Sequence, residues 1–157
     1  MLGVALVSLA LGAAPPPRRF LHVDARERMV AITLIAGYDG TNNGFNFDGY
    51  ARTLLLTVPR GWLVRVTCEN RGPLRNSCAV VHGPDAFRPA FVGATTPDPT
   101  VGLGAGTSAH FAFRASRTGL YRFTSLVPGH EEARMYDVLE VTGGSKPRIE
   151  DLVPPGH

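Results

Sequence analysis

The sequence predicts an all-β domain, a β-sandwich or small barrel of seven to eight short strands, and three observations carry that expectation. From residue 29 onward the dominant hydrophobic period is two. Turn residues punctuate the chain, with Gly 18 and Pro 13 spread along it rather than repeated. No segment after residue 20 shows a sustained helical stripe, which excludes a helical bundle and a coiled coil, and the missing Gly-X-Y period excludes collagen. At 157 residues there is room for one domain plus tails, and 44% hydrophobic against 18% charged residues is enough for a packed core.

Residues 2–14 form one uncharged apolar run of thirteen. A spanning helix needs roughly 20 such residues, so this run fits the core of a secretory signal, with small Gly12, Ala13 and Ala14 where cleavage would fall. A buried core helix is the plainer reading of the same run, although Pro15, Pro16 and Pro17 stop any helix from continuing. Export is therefore expected, to the periplasm or the extracytoplasmic face of a membrane, with a retained N-terminal membrane anchor as the alternative to cleavage. Residues 15–28 read as a Pro/Arg-rich linker, 29–142 as the domain, and 143–157 as a Pro/Gly-rich tail.

Within the domain, 29–36 (MVAITLIA) and 53–58 (TLLLTV) are the first two expected strands, and Pro59-Arg60-Gly61 turns into 62–69 (WLVRVTCE). There Trp62, Val64, Val66 and Cys68 share one face, with Arg65, Thr67 and Glu69 on the other. Residues 78–82, 110–114, 120–125 and 136–141 continue the series, separated by turns at 70–73, 83–85 and 118–119. Trp62, Phe111, Phe113 and Tyr121 are expected in core packing rather than electron relay or ligand stacking.

Charge and motifs narrow the function. The 16 cationic residues, all Arg except Lys146, oppose 13 acidic ones and are scattered, so no nucleic acid partner is expected. Gly102-Leu103-Gly104-Ala105-Gly106 lacks the Gly-Lys-Ser/Thr of a phosphate loop and reads as a turn. His-Glu-x-x-His and Gly-x-Ser-x-Gly are absent. Glu131 and Glu132 are adjacent and would point apart in extended chain, forming with Arg134 a solvated loop face. With no hydrolytic constellation, the chain is not expected to be an enzyme. In an exported chain Cys68 and Cys78 are more often a disulfide than a metal site, and their ten-residue separation fits no zinc pattern.

The segment 125–135 (SLVPGHEEARM) lies between two expected strands and presents His130 and Met135 on one loop. Imidazole plus thioether is what a soft, redox-active copper site uses, although such a pair on a loop is more often incidental. Together with Gly44-Phe45-Asn46-Phe47-Asp48-Gly49, residues 54–66, 74–81, Phe91-Val92-Gly93-Ala94-Thr95 and 119–141, this loop resembles the sulfocyanin family of blue-copper proteins. The resemblance covers most of 44–141 in order and implies a Greek-key β-sandwich of the cupredoxin type.

The same resemblance implies four copper-ligand positions: a His, then a Cys, a His and a Met spaced five apart. Here they are Asn76, Ser125, His130 and Met135, so two ligands are retained and two are substituted. A serine hydroxyl is hard and neutral and Asn offers an amide, a poor set for Cu(I). His82 shares the strand parity of Asn76, but six residues place it roughly 20 Å away. Cys78, about 6–7 Å from Asn76 on the same face, could reach the vacated pocket only if unbonded. In a cupredoxin the strands carrying Cys68 and Cys78 fall on opposite sheets, which implies a bridge across the core; two free core thiols, or a Cys78 metal ligand, are the alternatives.

Three functions follow. The first is an exported, non-enzymatic binding or assembly module with a degraded copper site, in which His130 and Met135 pack around a polar site formed with Asn76 and Ser125. It would hold no cofactor and serve an unknown protein partner, with a membrane respiratory component as the candidate class. The second is a copper-binding electron-transfer protein. The third is Cu(I) trafficking by His130 and Met135 with help from Met29 or His157.

Overall fold

A computed structural model describes residues 15–84, 86–144 and 146–153. The signal and anchor expectations for residues 2–14, and the His157 candidate, lie outside the described residues. Two sheets pack face to face. The first has the order β1 (Leu21–Asp24), β2 (Met29–Ala36), β4 (Leu63–Asn70), β6 (Ser108–Arg114). The second has the order β5 (Ala79–Val81), β7 (Gly119–Thr124), β8 (Tyr136–Thr142), β3 (Leu54–Pro59), β9 (Arg148–Asp151).

The period-two alternation is what divides the strands into two faces. On β4, Val64, Val66 and Cys68 are buried while Arg65 is exposed; on β8, Asp137, Leu139 and Val141 are buried between half-exposed neighbours. Val30, Ile32 and Leu34 of β2 join them from the first sheet, and Leu56, Val58 and Phe123 from the second. Each such side chain contributes about 1.5–3 kcal/mol by leaving water. The expected aromatics follow: Phe113 and Tyr121 are buried, and Trp62 and Phe111 pack against the core from its rim.

Most pairings are antiparallel, but β2 pairs with β4 and β3 with β8 in parallel. Parallel neighbours need a crossover, and here the chain leaves β2, passes to β3 in the other sheet and returns to β4. The passage at residues 37–53 is held by the bridges Ala36–Phe47 and Phe47–Tyr50. Gly37 lies there at φ +65, where a Cβ would come within 2.6 Å of Gly72 Cα, so the close approach of these two backbones requires glycine.

Cys68 at the end of β4 and Cys78 before β5 are joined by a disulfide, their Cα atoms 6.0 Å apart. Both are fully buried, and the bond ties one sheet to the other through the core. The free-thiol and Cys78-ligand alternatives are thereby set aside.

Two strands lie where the sequence suggested a linker and a tail. β1 pairs antiparallel with β2, and β9 pairs antiparallel with β3. Each is four residues long and at most half-buried, flanked by charged or Pro-rich sequence, so hydrophobic alternation gave them no signal. Phe20 of the preceding 3₁₀ turn Pro17–Phe20 packs with Ile35, Tyr50 and Leu54. The expected strand at 78–82 shrinks to Ala79–Val81, because Cys78 bonds to Thr96 instead of a strand neighbour.

Candidate functional site

The loop between β7 and β8 folds on itself. The His130 amide donates to Val127 O at 3.1 Å and the Met135 amide to His130 O at 3.1 Å. Gly129 takes φ +89 to let that turn close. Outside the loop, Asn42 Nδ2 donates to Ala133 O at 2.8 Å, and Thr124 Oγ1 donates to Met135 O at 3.1 Å. His130 and Met135 are thus fixed by backbone bonds at both ends, and both are buried.

Ser125 Oγ lies 2.9 Å from His130 Nδ1, and the Ser77 amide donates to the same Oγ at 3.1 Å. Ser77 Oγ in turn accepts from the Leu126 amide at 2.8 Å. With its oxygen already accepting from Ser77, the Ser125 hydroxyl is placed to donate to a neutral imidazole. Burial pushes the His130 pKa below its usual value, against the opposite pull of the Glu132 carboxylate, which favours that neutral form. The Phe45 ring stands edge-on to the imidazole at 5.3 Å. Replacing Ser125 by Ala strands the Ser77 amide in a buried site, with an expected loss of about 1–3 kcal/mol. Chemical denaturation should report it as a lower midpoint with unchanged slope.

Asn76 belongs to a neighbouring network. Its backbone forms an isolated bridge with Leu103, and its side-chain Nδ2 donates to Asn70 Oδ1 at 2.9 Å and Leu74 O at 3.2 Å. Asn70 Nδ2 spans Leu74 O and Leu103 O. The glycine-rich turn passes directly over this bridge: a Cβ on Gly102, at φ +82, would sit 3.0 Å from Asn76 N and 2.8 Å from Val127 Cγ2. Gly102→Ala is therefore expected to cost about 1–3 kcal/mol, read as a lowered melting temperature. Phe45 adjoins both networks, since it also lines a cavity of about 50 Å³ beside Asn76. The single polar site expected around Asn76, Ser125 and His130 is thus two adjoining networks, with the Asn76 amide turned toward Asn70.

Other candidates lie elsewhere. Met29 opens β2, while the network begins beyond its far end at Ala36, roughly 23 Å along the strand. His82 packs on Tyr121 with ring centroids 5.1 Å apart. Glu131, expected as part of a solvated face, is partly buried in an ion pair with Arg122 at 2.9 Å, and Arg122 lies over the Tyr136 ring. No cluster of three or more His, Cys, Asp or Glu side chains is gathered among the described residues. The partners Ser77, Asn70 and Asn42 were not singled out as site residues in the sequence, where Asn70 read only as part of the turn at 70–73.

A sulfocyanin (SoxE) domain model matches residues 16–146. The chain belongs to the sulfocyanin domain family. The match takes in β1 as well as the seven strands expected from the sequence. No curated protein matches the chain. Among solved structures, this sulfocyanin-family chain is similar to reduced auracyanin from Roseiflexus castenholzii, at 24% identity and TM-score 0.51 over 71% of this chain and 96% of that one. It is also similar to rusticyanin variants, at 17% identity and TM-score 0.54 over 78% and 86% of the two chains. A blue copper oxidase from Nitrosomonas europaea matches at 20% identity and TM-score 0.56, over 71% of this chain but 38% of the larger one. These likenesses establish the fold: a cupredoxin β-sandwich.

Proposed function

We propose that this chain is an exported, sulfocyanin-like cupredoxin whose type 1 copper site is replaced by hydrogen bonds, and that it serves as a non-enzymatic binding or assembly module. The observation that carries this reading is the Ser125 Oγ–His130 Nδ1 hydrogen bond at 2.9 Å. At the position where the family resemblance implies a thiolate, a neutral hydroxyl occupies the imidazole nitrogen facing it. The other donors are no better suited. The Asn76 amide is engaged by Asn70, and the Cys78 sulfur is locked in its bridge to Cys68. A trigonal His₂Cys set with an axial Met has one His and the Met here, without the charged soft donor that gives it affinity and redox tuning. The residues present do not fit type 1 copper.

The surviving His and Met then act as packing. Met135 is fully buried in the core with Phe47, Phe123 and Leu139, where its flexible thioether fills space. Export accords with a buried disulfide and with the apolar run at residues 2–14. The partner is a protein, with a membrane respiratory component the candidate class.

The second reading, Cu(I) held by His130 and Met135, rests on their common loop and the bond between their backbones. One measurement separates the readings: copper content and visible absorbance of the chain from residue 15 onward, after incubation with copper and desalting. The module reading expects no retained copper and no blue band. Stoichiometric copper with an intense band would overturn it in favour of an electron carrier, and retained colourless copper would favour trafficking.

A further inference from the structure

The passage from β2 to β3 carries a buried acid outside the ligand positions. Asp48 sits at φ +58 in the reverse turn that Phe47 and Tyr50 close with mutual backbone bonds of 3.0 and 2.8 Å. Its amide donates to Ile35 O at 2.9 Å, and its Oδ1 accepts from the Ile35 amide at 2.8 Å. Its Oδ2 is buried with no hydrogen-bond partner. A neutral carboxyl tolerates one unpaired atom at modest cost, whereas an ionised one would hold charge in a site with a single donor.

What surrounds the turn does not rescue the charge. Glu69 at the end of β4 raises the cost of ionisation and Arg71 beyond it lowers it, with burial outweighing both. Asp137, buried on β8, is close enough for the two carboxylates to repel. Asp39 abuts Gly49, and Tyr50 feels Asp48, Asp137 and Asp151 together. Tyr50 also carries the N-terminal arm, since its hydroxyl donates to Pro15 O at 2.8 Å and its ring packs with Phe20.

We propose that Asp48 is a protonation latch: its neutral carboxyl closes the crossover turn and, through Tyr50, holds the segment from Pro15 to Phe20, and its ionisation loosens both. The direction follows from linkage. Burial raises the Asp48 pKa from 3.8 to about 8 in the folded chain. The folded chain therefore keeps a proton that the unfolded chain releases. The contribution of Asp48 is fully present below about pH 4, declines as pH rises, and is gone above about pH 8. This device does not depend on whether copper binds.

Asp48→Asn tests it, because Asn keeps the acceptor for Ile35, stays neutral at all pH and tolerates positive φ. Between about pH 5 and about pH 9 the wild-type melting temperature should fall by roughly 10 °C more than that of the variant. At the higher pH, amide exchange at residues 47–50 and 18–21 should be faster in wild type than in the variant, and equal at the lower. Parallel profiles would overturn the latch. Should the variant not fold, NMR of the Asp48 carboxyl carbon in wild type decides alone. A midpoint above about pH 7 upholds the latch and one below it refutes it.

Discussion

With the double substitution Asn76→His and Ser125→Cys the protein is expected to retain copper through desalting and to absorb intensely in the visible, and the wild type to do neither. The scaffold for this change already exists. Ser125 Oγ and His130 Nδ1 face each other at 2.9 Å, so a sulfur at position 125 is presented to the imidazole without moving the loop. Met135 is fixed by its bonds to His130 O and from Thr124 Oγ1. The change supplies a thiol, which releases its proton on metal binding to become the thiolate ligand, and a second imidazole, completing the donor set of a blue-copper centre.

Each single substitution should fall short of that spectrum. Ser125→Cys alone has the thiolate without its second His, and Asn76→His alone has two imidazoles without charge neutralisation. A folded double variant that holds copper yet stays colourless would show that the four positions do not converge as the family resemblance implies. Circular dichroism before metal addition guards against misfolding, since loss of the Asn76–Asn70 bond alone costs about 1 kcal/mol.

Removing the Cys68–Cys78 bridge, by the paired change Cys68→Ala and Cys78→Ala, should lower stability by about 3 kcal/mol. The loop it closes is short, ten residues apart in sequence, so its entropic share is modest beside that of a long-range bridge. Its position adds weight, because the sulfurs sit in the fully buried core between the two sheets. Two alanines leave part of that volume unfilled, and residual cavity adds to the cost. Urea unfolding of wild type with and without reductant should show the same loss. An unchanged midpoint in both experiments would mean that the bridge contributes nothing to the folded state.

These two results touch different parts of what could be read in advance. Period-two patterning placed β2, β4, β6, β7 and β8 within a residue or two, because side-chain burial alternates along β4, β6 and β8 and along the first part of β2, and Tyr121 and Phe123 share the buried face of β7. β1 and β9 escaped because backbone pairing with a longer neighbour holds them, more than any buried face of their own. The loop spacing of Ser125, His130 and Met135 was legible because it is local. The partners of these residues were not, since Ser77 is 48 residues from Ser125 and Asn42 is 91 from Ala133.

The amino-acid sequence by itself determined the class of fold and the chemistry available at the candidate site: hydroxyl and amide at the positions where the family resemblance implies thiolate and imidazole. No folding can alter that, since donor identity is covalent. Only the tertiary structure decided how those donors are used. It turned Asn76 toward Asn70, paired Ser125 with His130, committed Cys78 to Cys68, and buried Asp48 in the crossover with one oxygen unanswered. The reason is physical: hydrogen-bond partners and desolvation are set by what lies within a few ångströms, and in a two-sheet sandwich those neighbours come from strands far apart in the chain.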